Sequence, residues 1–565
     1  MANLTEDAKL QIDKIIKAAY KNAAAAGTLP EGGLKEGSVE IPKDAANGDF
    51  SAGHALSGAK PLGMPPLKIA GALAENAELS GTYFCKAEVA GPGFINFRLS
   101  DKWYGEVLEA VAAEGSEYGR VNVGAGEKVM VEFVSANPTG PMTVGNARGG
   151  VLGDTLAAVL SRAGYDVKRE FYVNDAGNQI ELFGLSVEAA YLRLILGEDA
   201  VSFPENGYHG DDIKEFAAEI FERFGSKYAD VSPQERRRYF TEIGIARNTE
   251  LMQKHLRRYG IEFDEWFSES SLHESGYVGE TVQLLTRAGR TYEKDGAIWL
   301  KNTSLGADKD EVLRRSNGVY TYYAVDIAYH RNKFIERGFD KVIDVWGADH
   351  HGHAIRFAAT MTAPELGLGN KKPVFLIMQM VRLVRGSEVV KISKRTGKAL
   401  ALNDLLDEIG VDACRFFFNS NPNTHLEFDL DLAVRKDSEN PVYYVQYAHA
   451  RICSLISNLK AEGRTVPPPE RINAALLETD REKELIKQIA GLPDEIRLAS
   501  RDLDPSRINR YVIELAARFH KFYGSCRIKG EKDDLLEARL VLADAVRRVI
   551  EISLSMIGVS APDKM

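Results

Sequence analysis

The sequence predicts an α/β protein with a doubly wound parallel sheet at its centre. An α+β unit precedes this sheet and an all-α unit follows it. Three observations carry this. Between Lys128 and Val173 an apolar run, a glycine-rich turn, a helical stretch and a second apolar run follow one another. From residue 116 to about 435 short apolar runs alternate with helical stretches, the pattern of a sheet covered on both faces. After Asn440 the strand signals stop and helical periodicity takes over. At 565 residues the chain also exceeds the ~250–300 at which a single core stops growing, so several domains are expected.

The first unit, residues 1 to about 115, opens with a helix over 7–25, and the Gly/Pro-rich stretches near Pro30 and Pro61 read as loops. Alternation along Gly91-Pro92-Gly93-Phe94-Ile95-Asn96-Phe97-Arg98-Leu99 predicts a strand. The stretch 112–126, rich in Gly, Ala and Glu, connects it to the second unit. There 128–134 reads as a buried strand. Leu152, Leu156, Val159, Leu160 and Ala163 then recur at helical spacing, Gly164 supplies a stop, and 167–173 returns as a strand. Such a βαβ unit offers backbone amides and a helix N-terminus to a phosphate, so a nucleotide site is expected near Gly145.

Between Glu181 and about Arg290 helix and loop dominate, which reads as an insertion between two halves of the nucleotide-binding fold. The second half is expected to resume with strands in 318–326, 341–346 and 373–383. From Asn440 helices are expected over 442–461, 480–500, 505–526 and 533–557, with Pro467-Pro468-Pro469 breaking the first pair.

With 44% apolar and 27% charged residues the composition is that of an ordinary soluble protein. No run approaches the ~18 apolar residues that cross a bilayer. The start, Met1-Ala-Asn-Leu-Thr-Glu-Asp, lacks the basic-then-apolar pattern of a secretory signal, so a cytoplasmic location and no membrane partner are expected. Cys85, Cys414, Cys453 and Cys526 are scattered without paired spacing, which points to a reducing compartment and away from zinc. Net charge is 71 − 81 = −10, which at first sight speaks against nucleic acid as a partner. Phosphate contacts depend on local patches, however, and Arg236-Arg237-Arg238 and Arg257-Arg258 are candidates, although such runs more often form a solvated helix face than an RNA contact.

Chemistry concentrates in three stretches. The turn Ser135-Ala-Asn-Pro-Thr-Gly-Pro-Met-Thr-Val-Gly-Asn-Ala-Arg-Gly-Gly150 sits between strand and helix. Lys391-Ile392-Ser393-Lys394-Arg395-Thr396-Gly397 follows an apolar strand pair ending at Val390. Its two lysines, three apart, can reach a triphosphate and follow charge as pyrophosphate leaves. Val345-Trp346-Gly347-Ala348-Asp349-His350-His351-Gly352-His353 follows a strand and opens a helix, where such a sheet reads a ribose or substrate. Its adjacent histidines point different ways, so no metal ligand is assigned to it.

These stretches resemble the signatures of class I aminoacyl-tRNA synthetases, and their flanks resemble the arginyl family. The likeness runs through Ser135-x-Asn137-Pro138-Thr139-Gly140-Pro141, Ala147-Arg148-Gly149 and Tyr172-Val173-Asn174-Asp175-Ala176-Gly177-Asn178-Gln179-Ile180. It continues in Asp412-Ala413-Cys414-Arg415-Phe416-Phe417, in Asn440 to Arg451 and in the ending Gly558 to Met565. Residues 391–394 resemble the Lys-Met-Ser-Lys-Ser signature, and 347–353 the Gly-x-Asp-x-x-x-His element.

The resemblance implies a Rossmann-like catalytic domain over 116–435, an N-terminal domain over 1–115 that reads the tRNA elbow, and a helical anticodon-binding domain over 436–565. It implies L-arginine, ATP with Mg²⁺ as a substrate complex and an arginine tRNA as partners, no tightly bound protein-ligated metal, and a monomer. Catalytic roles fall on Thr143, Gly145, Asn146, Lys391, Ser393 and Lys394. Arginine contacts fall on Ser135, Asn137, Glu269, Tyr322, Asp326 and His350, and carboxylates suit a guanidinium because its planar fork matches their oxygens. Nucleotide contacts fall on Gly145, Asn146, Gly347, Asp349, His353, Met380, Val381, Lys391 and Lys394. Contacts to tRNA fall on Phe94, Asn96, Asn440, Tyr444, Tyr447 and Met565.

One departure stands out. Where the family has His-x-Gly-His, this chain has Thr143-Val144-Gly145-Asn146. Asn146 keeps an amide donor and Thr143 a hydroxyl, but neither carries positive charge. Each lost donor is expected to cost ~1.5–3 kcal/mol, roughly ten- to a hundredfold in rate. Lys391, Lys394, Arg395 or Arg148 could compensate. The expectation is an active enzyme that forms arginyl-adenylate and transfers arginine to tRNA, and the alternative is a catalytically impaired tRNA-binding paralogue. An unrelated dinucleotide-binding enzyme is disfavoured, because no Gly-x-Gly-x-x-Gly follows a strand.

Overall fold

The computed structural model describes residues 3–386, 388–390, 400–422 and 424–565. Its central sheet has five strands: β1 Lys128–Glu132, β2 Asp166–Val173, β3 Glu265–Ser268, β4 Lys341–Gly347 and β5 Pro373–Met378. All neighbours are parallel, in the order β5-β4-β1-β2-β3. Val129, Met130 and Val131 of β1 are wholly buried, as expected of a parallel strand covered on both faces. The chain builds outward from β1 through β2 to β3 and then returns to add β4 on the other side of β1. Strand order therefore reverses between β1 and β4, and a crevice opens at their C-terminal ends, where such sheets bind ligands.

Helix α1, Val144–Arg162, follows β1 and packs tightly onto its end. A Cβ at Gly153 would lie 2.2 Å from the Phe133 ring, so only glycine allows this approach.

Strand β3 falls inside the stretch 181–290 that reads as an insertion. Its four residues are half-exposed or exposed, so it shows little apolar signal, yet it pairs with β2 through Phe171 and Trp266. Before it come three helices, α2 Asn178–Leu196, α3 Asp211–Phe224 and α4 Pro233–Arg258. They share a core of their own built on Phe183, Tyr191, Phe216 and Phe240. The basic run in α4 is mostly spent internally. Arg236 is buried against Glu188 and donates to the Tyr228, Ala229 and Val231 carbonyls, and Arg237 pairs with the same Glu188. Arg258 pairs with Asp407.

The expected strand over 318–326 is instead the start of helix α5, Tyr322–Ile335. Its aromatic and β-branched residues imitate a strand, but Thr321 caps the Ala324 amide, and Tyr323, Ala324, Ile327 and Ala328 bury one helical face. At the N-terminus, helix Leu4–Ala25 packs near a four-stranded sheet in which Phe94–Leu99 pairs with Phe84–Ala90 and Phe50–Ala52.

The C-terminal unit consists mainly of helices Pro441–Ala461, Asp480–Ala490, Leu492–Asp502, Ser506–Ser525 and Asp533–Ile557. The expected single helix over 480–500 breaks at Gly491, because Pro493 occupies the first turn of the next helix. Wholly buried Arg415 ties this unit to the sheet domain, donating to the Ile557 and Tyr259 carbonyls and pairing with Asp154 at 2.5 Å. A Cβ at Gly558 would lie 2.4 Å from its guanidinium, at a φ of +70°, so glycine is required there. No helix among the described residues is long and apolar enough to cross a membrane.

Candidate active site

A cavity of about 990 Å³ opens at the C-terminal ends of β1 and β4. The turn after β1 forms one wall, Glu269 and Asp326 another, and the turn after β4 a third. Tyr208, His209, Gly210 and Asp212, just before and within the first turn of α3, supply a fourth that no motif announces.

The turn begins with a backbone contortion. Val134 and Ser135 have φ of 68° and 40°, values rare for any side chain and rarest for a β-branched one. The Ser135 hydroxyl donates to Glu132 at 2.8 Å and accepts from the Tyr172 amide at 3.1 Å. Asn137 donates to Gln179 at the start of α2. Farther on, Thr143 and Asn146 form a reciprocal capping box: the Thr143 amide and hydroxyl donate to Asn146 Oδ1 at 2.9 and 2.8 Å, and the Asn146 amide donates to Thr143 Oγ1. The Asn146 Nδ2 hydrogens have no partner among the described residues. A Cβ at Gly145 would meet only Thr143 Oγ1, at 3.6 Å, so the space beside it is open to a ligand facing the positive end of α1.

Arg148 takes no part in that chemistry, against expectation. It is wholly buried and donates to the carbonyls of Gln379, Met380, Asn421 and Thr424. Burial lowers its pKa to about 10.

Glu269 opens the short helix after β3, where Asp175 holds the turn by accepting from the Ser270 amide at 2.8 Å. Asp175 has no role assigned from the sequence, where its signal is its place in the stretch Tyr172 to Ile180. Burial, then the negative charge of Asp326, pushes Glu269 up to about 7, although the nearby Tyr172 hydroxyl pulls the other way. Asp326 lies on the first turns of α5, and its Oδ2 is 3.0 Å from His353 Nε2. Among the described residues no lysine or arginine pairs with either acid; their ion-pair neighbours are His273 and His353. Tyr322, 65% exposed, lies over the same wall with its hydroxyl 3.5 Å from His353 Nδ1.

His353, expected at the nucleotide, lines the cavity from a buried place among Trp346, Tyr323 and Phe357, where Asp326 holds it. Gly347, Asp349 and His350 line the cavity, with His350 and Asp349 exposed and 3.5 Å apart. Gly347 is needed because a Cβ would lie 2.5 Å from an Asp349 oxygen. Met380 and Val381 are not in the cavity wall. Met378, two residues earlier, lines it instead, while Met380 is 68% exposed. Lys391, Ser393 and Lys394 lie outside the described residues.

The residues expected at tRNA are far apart along the fold. Phe94 is half-buried, and Asn96 is buried and accepts from Ser51 at 2.8 Å. Asn440 is committed to the fold, 3% exposed: it caps Val442 and donates to the Ala433 and Arg435 carbonyls. Tyr444 lies tilted against His520 at 4.6 Å, whereas Tyr447 stacks on His520 at 6.0 Å and on Tyr443. Met565 is exposed. Nearby, His449, Cys453 and Asp563 gather metal-capable atoms within 4.8 Å of one another. These are spent within the protein, His449 Nδ1 on the Pro562 carbonyl and the Cys453 thiol on Asp563. Burial and that carboxylate push the thiol up to about 11.

Comparison with known proteins agrees with this geometry. Residues 10–99 match the family described as arginyl tRNA synthetase N terminal domain. Residues 107–452 match tRNA synthetases class I (R), catalytic domain, and 445–565 match the DALR anticodon binding domain. The chain is 49% identical over 566 residues to the arginine–tRNA ligase of Acetivibrio thermocellus, covering all of both chains. It is 50% identical over 566 residues to that of Caldanaerobacter subterraneus, again end to end. It superposes on Thermus thermophilus arginyl-tRNA synthetase with a TM-score of 0.71 at 20% identity, over 99% of this chain and 100% of that one.

Proposed function

The chain belongs to the arginyl-tRNA synthetases of class I, and from that premise we propose how its own side chains run the reaction. It is an arginine–tRNA ligase: arginine and ATP give arginyl-adenylate and pyrophosphate, and the arginyl group then passes to the 3′ end of the tRNA. The observation that carries the assignment of the cleft is the pair Glu269 and Asp326. Two acids on one wall, one of them pushed up to about 7 by burial and by the other, favour a cationic, fork-shaped ligand. Ser135 and Asn137 at the far side suit the amino-acid head group, and Tyr322 would cover the side chain.

ATP enters as its Mg²⁺ complex, a substrate. Its α-phosphate would meet the N-terminus of α1, where the Gly145 opening and the preorganised Thr143–Asn146 cap offer backbone and amide hydrogens to growing negative charge. The positive charge that two histidines bring elsewhere in the family would come from Lys391 and Lys394. Arg148 is committed to four carbonyls and is unavailable. Tyr447 is the exposed aromatic suited to an unpaired base of the tRNA. On this reading the protein acts as a monomer in the cytoplasm. Nothing in the cleft or among the relatives favours an impaired paralogue.

Arginine-dependent exchange of labelled pyrophosphate into ATP, run with and without arginine tRNA, tests the proposal. Exchange and charging are the expected results. A protein that binds the tRNA and arginine yet does neither reaction would be the impaired paralogue.

A further inference from the structure

Away from the cleft, three side chains of the helical unit bring a sulfur, a nitrogen and an oxygen to one point. His449 and Cys453 are four residues apart in helix Pro441–Ala461, so they share a face one turn apart. Asp563, 110 residues beyond Cys453, is laid against them by the tail that follows helix Asp533–Ile557. The ligand atoms of all three lie within 4.8 Å of one another. Unpaired cysteine spacing argues against zinc, but here two of the three ligands are a histidine and a distant carboxylate, which cysteine spacing does not report. The tail is held at fixed points. The Ser560 amide donates to Asp412 at 3.0 Å, Gln446 Nε2 donates to the Ser560 carbonyl at 2.9 Å, and His449 Nδ1 donates to the Pro562 carbonyl at 3.0 Å.

The hydrogen bonds of the metal-free chain prearrange these atoms for a cation. A carbonyl only accepts, so the Pro562 bond puts a proton on His449 Nδ1 and leaves neutral His449 with its lone pair at Nε2. Metal-bound imidazoles are steadied by a backbone carbonyl in the same way. Nε2 is 4.0 Å from Cys453 Sγ, and Sγ donates its proton to Asp563 Oδ1 at 3.4 Å. Around a tetrahedral zinc with bonds of about 2.0–2.3 Å, such ligand atoms stand about 3.4–3.6 Å apart. The sulfur–oxygen edge already has that length, and a rotation of the half-buried Cys453 side chain closes the sulfur–nitrogen edge. Neighbouring charge does not repel a cation. Arg547 and Glu551 face the sulfur from helix Asp533–Ile557, and Arg547 is shared between Asp544 and Glu551 itself.

We propose that His449, Cys453 and Asp563 form a binding site for a borderline divalent cation, zinc foremost, which fastens the tail 559–565 to helix Pro441–Ala461. A thiolate beside an imidazole selects zinc or cobalt over Mg²⁺, which takes oxygen ligands, so the Mg²⁺ that accompanies ATP does not compete. Binding exchanges one proton for the metal: the Cys453 S–H bond breaks, its electron pair bonds to the cation, and the proton leaves to water. His449 Nε2 and the Asp563 carboxylate contribute lone pairs without losing a proton, and water completes the fourth position on the exposed side.

Titration of the full chain with Co²⁺ tests it, after chelation and with the thiols kept reduced, beside Cys453→Ser and Asp563→Asn. The expected result is a single Co²⁺ per chain, with the visible bands of tetrahedral cobalt and the ultraviolet charge-transfer band of a cobalt–thiolate bond. Zn²⁺ should displace it and abolish both bands, whereas Mg²⁺ in large excess should change neither. Cys453→Ser should lose the charge-transfer band, and Asp563→Asn should bind about a hundredfold or more weakly. Zn²⁺ should raise the melting temperature of the parent and leave that of Cys453→Ser unmoved. A parent chain that binds neither Co²⁺ nor Zn²⁺ overturns the proposal. So does an undiminished charge-transfer band in Cys453→Ser, which would put the metal on another cysteine, and so does bound Zn²⁺ that leaves the parent's melting temperature where it was.

Discussion

Asn248, buried in α4, donates from Nδ2 to the Pro138 carbonyl at 2.8 Å, so the inserted helical body holds the signature turn from outside the sheet. The same body reaches the turn again at Asp212, 3.5 Å from where a Gly140 side chain would begin. The insertion is thus part of the active-site wall. Asn248→Ala leaves a buried carbonyl unpaired, at about 1–3 kcal/mol. If that is spent on the position of the turn, pyrophosphate exchange should fall roughly five- to a hundredfold in kcat/KM. Circular dichroism should remain that of the parent. Undiminished exchange would mean that the turn keeps its shape unaided.

The raised value of Glu269 gives arginine binding a pH dependence with a definite sign. In the folded protein this carboxyl keeps its proton up to about pH 7, whereas an ordinary glutamate has lost it near 4.5. The empty site therefore costs stability as pH rises through that window, and bound arginine, which needs the carboxylate, recovers it. The KM for arginine should fall about tenfold per pH unit on approaching pH 7 from below and level off above it. Glu269→Gln should flatten the profile and weaken binding at every pH, by thirtyfold or more on the scale of about 2–5 kcal/mol for a truncated buried charge pair. A KM that ignores pH between about 5.5 and 8 would refute the pairing.

Much of this was legible in the chain because it is local. The β1–α1–β2 unit announces itself through 128–134, Gly145 and the spacing of Leu152, Leu156 and Val159, and each signal lies within a few residues of its consequence. What escaped depends on distant partners. The four half-exposed or exposed residues of β3 become a strand only because β2 offers an edge. Tyr322 to Asp326 has the composition of a strand and becomes a helix because of the Thr321 cap and the core on one side. Arg148 has a side chain apt for a ligand, yet it is captured by carbonyls from elsewhere in the fold. Residue type records the chemistry a side chain can do, and burial decides which partner receives it.

Arg148 also makes a stability prediction. Its guanidinium serves four carbonyls from two separate loops, a planar fork that a lysine cannot reproduce. Arg148→Lys should therefore behave almost as a deletion and destabilise by about 3–5 kcal/mol, with Gln379, Met380, Asn421 and Thr424 loosened first. Hydrogen exchange of the Leu426 amide, which donates to Met380, reports on it directly. Protection equal to the parent's would show that the four bonds are dispensable.

On the helical side, the two tyrosines of Pro441–Ala461 should separate under mutation. Tyr447 is 41% exposed and already stacked against Tyr443 and His520, a ring held ready for one more partner. Tyr444 is half-buried against His520 at 4.6 Å and belongs more to the packing. Stacking of an unpaired base on an aromatic ring is worth about 1–3 kcal/mol. Tyr447→Ala should weaken binding of arginine tRNA about five- to a hundredfold with an unchanged melting temperature, and Tyr447→Phe should restore most of it, because the ring face is what binds. Tyr444→Ala should instead lower the melting temperature. The KM for arginine should stay at the parent's value in all three, since both rings lie outside the cavity wall. A Tyr447→Ala protein that binds tRNA as tightly as the parent would move the RNA-reading surface to another face of these helices.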